Sequence, residues 1–395
     1  MARVTSGLEQ LIADPPAWLK GLRTALLCNP ASIDGNFRHA GALIRQELPG
    51  QLTALFSPQH GYFAEKQDNM VESTDSREPE TKLPIYSLYS QTRIPKPEMF
   101  DHFDTLFVDL QDVGTRVYTF STTLSYCLEA AKKLDKRVLV LDRPNPVNGI
   151  QVEGNLLETQ FASFVGRYPI PMRHGLTLGE LALYINEIHD IRCRLTVIPM
   201  KGWRREMFFA DTGLPWVPPS PNLPTPQSAV VYPGQVLLEG TNLSEGRGTT
   251  TPFELIGAPF IKPADILSFL GSDRFPGGIL RPVAFEPMYH KWRNETCRGF
   301  HLHITHPASY NAYETTLKLL EAIIYQYPES FQWRQPPYEY EWEKLPIDLI
   351  TGTDKIRQQL ERREPVENMA ARWKEDLKSF QTAAKAFHLY DKTGK

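Results

Sequence analysis

The chain has 395 residues, of which 41% are hydrophobic and 23% charged, and its net charge is −3 at pH 7. That balance fits a soluble globular enzyme with room for two domains, and it offers no basic field for nucleic acid or for an anionic membrane. The cysteines (Cys28, Cys127, Cys193 and Cys297) lie far apart with no CxxC pair, so buried free thiols are expected rather than structural zinc or a disulfide framework.

In chain order, short apolar runs alternate with helical patterns. Thr24–Cys28 reads as a strand, Phe37–Glu47 as a helix and Leu52–Phe56 as a strand. Thr105–Leu110 follows as a strand, Ser121–Leu134 as a helix, Arg137–Asp142 as a strand, Leu178–Glu187 as a helix and Leu195–Met200 as a strand. Strands without polar alternation are buried on both faces, which predicts βαβ units, a mostly parallel Rossmann-like sheet and helices on both sides. Beyond the Pro-rich "PWVPPSPNLPTPQ" the pattern changes. Strands are expected near Arg281–Phe285 and Gly299–Ile304, with helices at Tyr313–Tyr325 and Lys355–Glu361. The prediction is therefore α/β, with residues 1–227 as a Rossmann-like domain and 228–395 as a smaller α+β domain. The amino-terminal stretch has no apolar leader core, and no run reaches the roughly 18 apolar residues of a membrane span, so a cytoplasmic location and no membrane insertion are expected.

Ligands of parallel sheets gather beyond the carboxyl ends of the strands, and there this chain is polar: "NPASID", "SPQHGYFAEKQDN", "QDVGTR" and "DRPNPVNG" each follow a strand. No GxGxxG follows the first strand, and neither GxxxxGK[ST] nor GxSxG occurs, which argues against NAD, ATP and an esterase elbow. No cofactor is expected. His301 and His303 in "HLHITH" lack an HExxH context, and no metal centre is assigned.

What remains is amides, carboxylates and arginines suited to a hydroxyl-rich ligand: Gln111, Asp112, Arg143, Asn145, Asn148, Glu153, Arg173, His174, Asn222 and Asn242. For the asparagines, self-bonded Asx turns are the competing reading. Trp203 and Trp216 are equally suited to stacking on a pyranose and to ordinary core. In "EGTNLSEGRGTT", Glu239 and Glu245 bracket a glycine-containing loop past the domain boundary. Paired carboxylates across a sugar-sized cleft are what glycoside hydrolysis needs. A salt bridge between Glu245 and Arg247 that shapes the loop is the alternative.

Together "SPQHG", "FVDLQDVGTRVYTF", "VLDRPNPVNGIQVEG", "YPIPMRHGLTLGEL", "GLPWVPPSPNLPT" and "LLEGTNLSEGRGTTTPFELIGAP" resemble the exo-β-N-acetylmuramidase (NamZ) family, in order from about Gly21 to Tyr390. The resemblance implies a Rossmann-like domain, a smaller second domain and an active-site cleft between them. It also implies removal of terminal N-acetylmuramic acid (MurNAc) from the non-reducing end of peptidoglycan fragments, without metal or nucleotide. One position departs from the family pattern: a proposed catalytic Glu is here Gln59, beside His60, and an amide cannot act as a general acid. The catalytic candidates are then Glu65, Glu153, Glu239 and Glu245. Arg143 or Arg173 is expected to hold the lactyl carboxylate that distinguishes MurNAc from N-acetylglucosamine (GlcNAc). The competing function is a non-catalytic muropeptide- or saccharide-binding protein on the same scaffold. The sequence assigns no oligomeric state.

Overall fold

A computed structural model describes residues 3–390 apart from 69, 91 and 272–274. Twelve strands are present among them: β1 (Thr24–Cys28), β2 (Leu52–Ser57), β3 (Ser76–Arg77), β4 (Pro84–Ser87), β5 (Thr105–Asp109), β6 (Arg137–Leu141), β7 (Glu153–Leu156), β8 (Pro171–Arg173), β9 (Arg194–Ile198), β10 (Leu255–Ala258), β11 (Gly278–Phe285) and β12 (Cys297–Ile304). Seven form one sheet in the order β3-β4-β2-β1-β5-β6-β9, parallel except for the short β3. Every residue of "TALLC" in β1 and "TLFVD" in β5 is buried, as expected for central strands covered on both faces. One face packs on Gly7–Ala13 and Ala40–Glu47, burying Leu8, Leu26, Leu43 and Leu139 together. The other face, with Leu27, Phe56 and Val108, shares one continuous core with the carboxy-terminal half.

That half holds an antiparallel sheet in the order β10-β12-β11, packed on the helices Pro263–Leu270 and Ala312–Gln326. The mixed α/β architecture with a mostly parallel sheet and a smaller antiparallel unit is the expected one. Differences lie in the details. The first helical stretch begins at Ala40 rather than Phe37, because His39 caps it through Nδ1, which accepts from the Gly41 N–H at 3.2 Å. The helices Pro226–Gln235 and Val366–Ala384 were not predicted. The first hides behind its prolines, yet Pro226 takes the first turn, where no N–H is needed, and Thr225 caps it. Gly234 lets this helix press on the Ala312–Gln326 helix. A Cβ there would stand 1.9 Å from the Ala312 carbonyl oxygen.

All four cysteines are free and buried. No helix among the described residues is long and apolar enough to cross a membrane.

Candidate active site

Beyond the carboxyl end of β2 the chain turns sharply, with His60 at φ 73°, and sends Gln59 and His60 toward the carboxy-terminal half. Val117, Tyr118 and Thr119 arrive from the segment after β5, and Ser220 and Asn222 from the Pro-rich loop. From the other half come Tyr232, Glu239, Arg247, Phe253, Tyr338 and Glu339. These side chains close around a space of about 30 Å³, room for little more than one or two waters.

The Pro226–Gln235 helix runs into a 3-10 turn over Val236–Gly240, which delivers Glu239. Gly246 at φ 78° and Gly248 at φ 82° then fold the loop back so that Arg247 points at that carboxylate. Arg247 Nη2 donates to Glu239 Oε1 at 2.7 Å, and Tyr338 Oη donates to Glu239 Oε2 at 2.7 Å. Burial pulls the Glu239 carboxyl up, but the Arg247 charge and these hydrogen bonds outweigh it and leave it below the ordinary carboxylate range. Glu245 lies behind, fully buried, 2.7 Å from Lys291 Nζ, 3.2 Å from His290 Nδ1 and 3.2 Å from Arg247 Nε. Burial opposes its ionisation, yet Lys291, His290 and Arg247 together hold it far below the usual value. Arg247 Nη1 is buried without a hydrogen-bond partner among the described residues.

The opposite wall is a second network. Gln59 Oε1 accepts from Thr119 Oγ1 at 2.7 Å, and its Nε2 donates to Glu339 Oε1 at 3.0 Å. Tyr89 Oη donates to Glu339 Oε2 at 2.7 Å. Burial, with the nearby Glu239 charge, drives the Glu339 carboxyl up to about 7 against the hydrogen bonds from Tyr89 and Gln59 and the charge of Arg93. His60 donates from Nδ1 to the Lys66 carbonyl at 2.6 Å, and burial depresses its pKa to about 4, so the neutral ring keeps Nε2 as an acceptor.

The other residues singled out in the sequence lie elsewhere or serve the scaffold. Arg143 grips Asp109 with two bonds, at 2.5 and 2.8 Å, and donates to the Ile33 carbonyl. With Gln111 and Trp216 it lines a separate crevice, and Gln111 Nε2 is held by the Asp112 and Pro144 carbonyls. Arg173 and Glu153 pair at 2.5 Å, with Glu153 Oε2 also accepting from the Tyr313 N–H. Neither expected lactyl clamp therefore lines the cavity, because a buried carboxylate from the same half already holds each guanidinium. Asn145 and Asn148 accept from backbone N–H groups two residues on, as Asx turns.

Asn242 ties down residues 330–332 through both ends of its amide. Asp112 Oδ1 accepts from the Gly114 N–H, and burial raises its pKa to about 7. Its neighbour His174, with Nε2 3.8 Å away, is depressed to about 3 by burial. Glu65 is exposed, 3.6 Å from Lys66. Trp203 packs in a small core with Val4 and Met207, and Trp216 stacks edge-on against Phe209. Among the described residues no three His, Cys, Asp or Glu side chains group as metal ligands.

Sequence reasoning missed Tyr89, Tyr338 and Glu339. The last two sit in "PPYEYEWEKL", which reads as a linker. Tyr338 and Glu341 exchange both backbone hydrogen bonds at 2.9 Å, making Glu339 (φ 47°) and Tyr340 (φ 67°) the centre of a two-residue hairpin turn. That primed turn favours Asn-Gly, so Glu-Tyr gives no turn signal.

A Rossmann-like domain is thus joined to a smaller unit, and two carboxylates and an arginine from the carboxy-terminal half face Gln59, His60 and Asn222 of the other half across one cavity. Residues 24–227 match the family description "Exo-beta-N-acetylmuramidase NamZ, N-terminal", and residues 230–390 match "Exo-beta-N-acetylmuramidase NamZ, C-terminal". The chain belongs to this NamZ family. The peptidoglycan β-N-acetylmuramidase NamZ of Bacillus subtilis (strain 168) is 41% identical over 390 residues, 98% of this chain and 92% of that relative. Crystal structures of two DUF1343-family proteins of Bacteroides fragilis NCTC 9343 superpose with TM-scores of 0.88 and 0.76 at 32% and 31% identity. Each covers 99% of this chain and 100% of its own.

Proposed function

We propose that the protein is a glycosidase that releases terminal MurNAc from the non-reducing end of peptidoglycan fragments, acting in the cytoplasm on soluble saccharides. The chain is read as two domains, 1–227 and 228–395, with the cavity at their junction. The observation that carries the reading is Arg247. Arg247 lines the cavity together with two carboxylates, Glu239 and Glu339, and its Nη1 is a buried donor without a hydrogen-bond partner among the described residues; an unsatisfied guanidinium N–H is a ready partner for the lactyl carboxylate. In this reading Glu239 stays ionised and faces the positive charge that develops at C1. His60, Asn222, Tyr118 and Ser220 line the space that the sugar's polar rim takes. The enclosed volume is far below that of a sugar ring, so the cavity widens as substrate enters.

Incubation with MurNAc-GlcNAc and with GlcNAc-GlcNAc tests this. Free MurNAc is expected from the first, and no cleavage of the second. Because the family resemblance implies a catalytic Glu at the position Gln59 holds, a non-catalytic saccharide-binding role is the second reading. Tight binding of MurNAc-GlcNAc with no MurNAc released would establish it.

A further inference from the structure

We propose that Glu339 is the proton donor to the leaving oxygen in this reaction, and that Gln59 and Tyr89 position it. The assignment rests on the glycosidase reading above. It also answers the question that Gln59 raises, namely which carboxyl supplies the proton that an amide cannot.

Three observations converge on Glu339. It lines the same cavity as Glu239, and the two have opposite tendencies: Arg247 and Tyr338 keep Glu239 ionised, while burial and the Glu239 charge favour the protonated form of Glu339. Two carboxyls driven apart by their surroundings are the pattern of an acid and its ionised counterpart. Second, Gln59 Nε2 donates to the carboxyl at 3.0 Å and to Tyr89 Oη at 3.2 Å, and Thr119 fixes the amide from behind at 2.7 Å, so the amide holds Glu339 and its partner Tyr89 in one arrangement. Third, the carboxyl is presented by a primed turn with positive φ at two non-glycine residues. Local preference at these positions is for Asn and Gly, so the turn is held by its surroundings rather than by its own residues.

In the step itself, the C1–O bond breaks with its electron pair going to the leaving oxygen, which takes the Glu339 proton. A water oxygen then bonds to C1, and the proton it loses restores the protonation of the carboxyl pair. One water is consumed, and no metal or redox partner enters the balance.

The test compares two leaving groups on the wild type and on Glu339→Gln. From MurNAc-GlcNAc the GlcNAc moiety leaves as an alcohol and needs a proton; from a nitrophenyl β-glycoside of MurNAc the nitrophenol leaves as a stabilised phenolate and does not. Glu339→Gln is expected to lose about 10²–10⁴-fold in kcat on the disaccharide and less than about tenfold on the aryl glycoside. Glu339→Asn guards against a folding failure, since Asn suits the first position of this turn, and it is expected to show the same split. Tyr89→Phe removes a hydrogen bond that lowers the Glu339 pKa, so the alkaline limb of the disaccharide profile, expected near 7 in the wild type, should move to higher pH. Equal losses on both substrates in both Glu339 variants, or an unmoved limb in Tyr89→Phe, would overturn the assignment while leaving the glycosidase reading intact. A wild type inactive on both substrates would overturn both.

Discussion

Replacing Arg173 by Met separates scaffold from site. Arg173 is fully buried and Glu153 nearly so, and their side chains meet at 2.5 Å. Arg173 also donates to Gln151 and to the Val147 carbonyl. Without the guanidinium, the Glu153 carboxylate keeps one partner, the Tyr313 N–H at 3.1 Å, in a place water does not reach. Stranding a buried charge in this way costs about 3–5 kcal/mol, whereas replacing both members of such a pair with neutral groups is often close to neutral. At about 2–4 °C per kcal/mol for large domains, the single variant should melt roughly 6–20 °C below wild type. The double variant Arg173→Met, Glu153→Gln should recover most of that. Urea unfolding followed by tryptophan fluorescence reads the stabilities, and the MurNAc-over-GlcNAc preference of the folded protein should be unchanged in both. A single variant within about 1 kcal/mol of wild type, or a double variant no better than the single, would refute the stranded-charge reasoning. Loss of MurNAc preference at unchanged stability would return Arg173 to the ligand.

Further outcomes follow from the same geometry. Arg247→Ala should cut the preference for MurNAc over GlcNAc glycosides by the equivalent of roughly 2–5 kcal/mol, the cost of leaving a buried charge partner unmet, as read from the ratio of kcat/KM values. His60 and His174 are neutral in the fold, with pKa values near 4 and 3. The unfolded chain binds more protons below about 6.5, so stability should fall as pH drops from about 6.5 toward 4. Urea midpoints between pH 7 and pH 4.5 measure this slope, and His174→Gln should flatten it. Gly234→Ala meets backbone rather than a movable side chain, so it should lower stability by about 3 kcal/mol or more; a thermal melt unchanged from wild type would contradict that close approach.

Much of the sheet is legible because a strand buried on both faces must be apolar throughout, and β1, β2, β5 and β6 carry that composition locally. The polar turns after them are equally legible as strand ends. Which of those turns reaches the cavity is not. "SPQHG" reaches it with Gln59 and His60, whereas "DRPNPVNG" spends its amides on Asx turns and its Arg143 on Asp109. The two ends carry similar residue types, and only the fold decides which of them meets Glu239 and Glu339. Helix Pro226–Gln235 escapes notice because Pro233 argues against a helix that the packing of Gly234 on Ala312 nevertheless supports.

Residue type and order, read along the chain, dictate the layer architecture, the two-part division of pattern and the kind of chemistry at hand: carboxylates, amides and arginines without a nucleotide loop. These follow from local rules of periodicity, turn formation and side-chain polarity. Protonation and pairing follow from contacts across the fold. Glu239 is ionised because Arg247 and Tyr338, the latter 99 positions away, meet it, and Glu339 is raised to about 7 by burial and the Glu239 charge in spite of the hydrogen bond from Tyr89, 250 positions away. A carboxyl's charge is set by what surrounds it within a few ångströms, and those neighbours meet only in the folded chain: Arg247 and Tyr338 reach Glu239 within the carboxy-terminal half, while Tyr89 and Gln59 reach Glu339 from the other half.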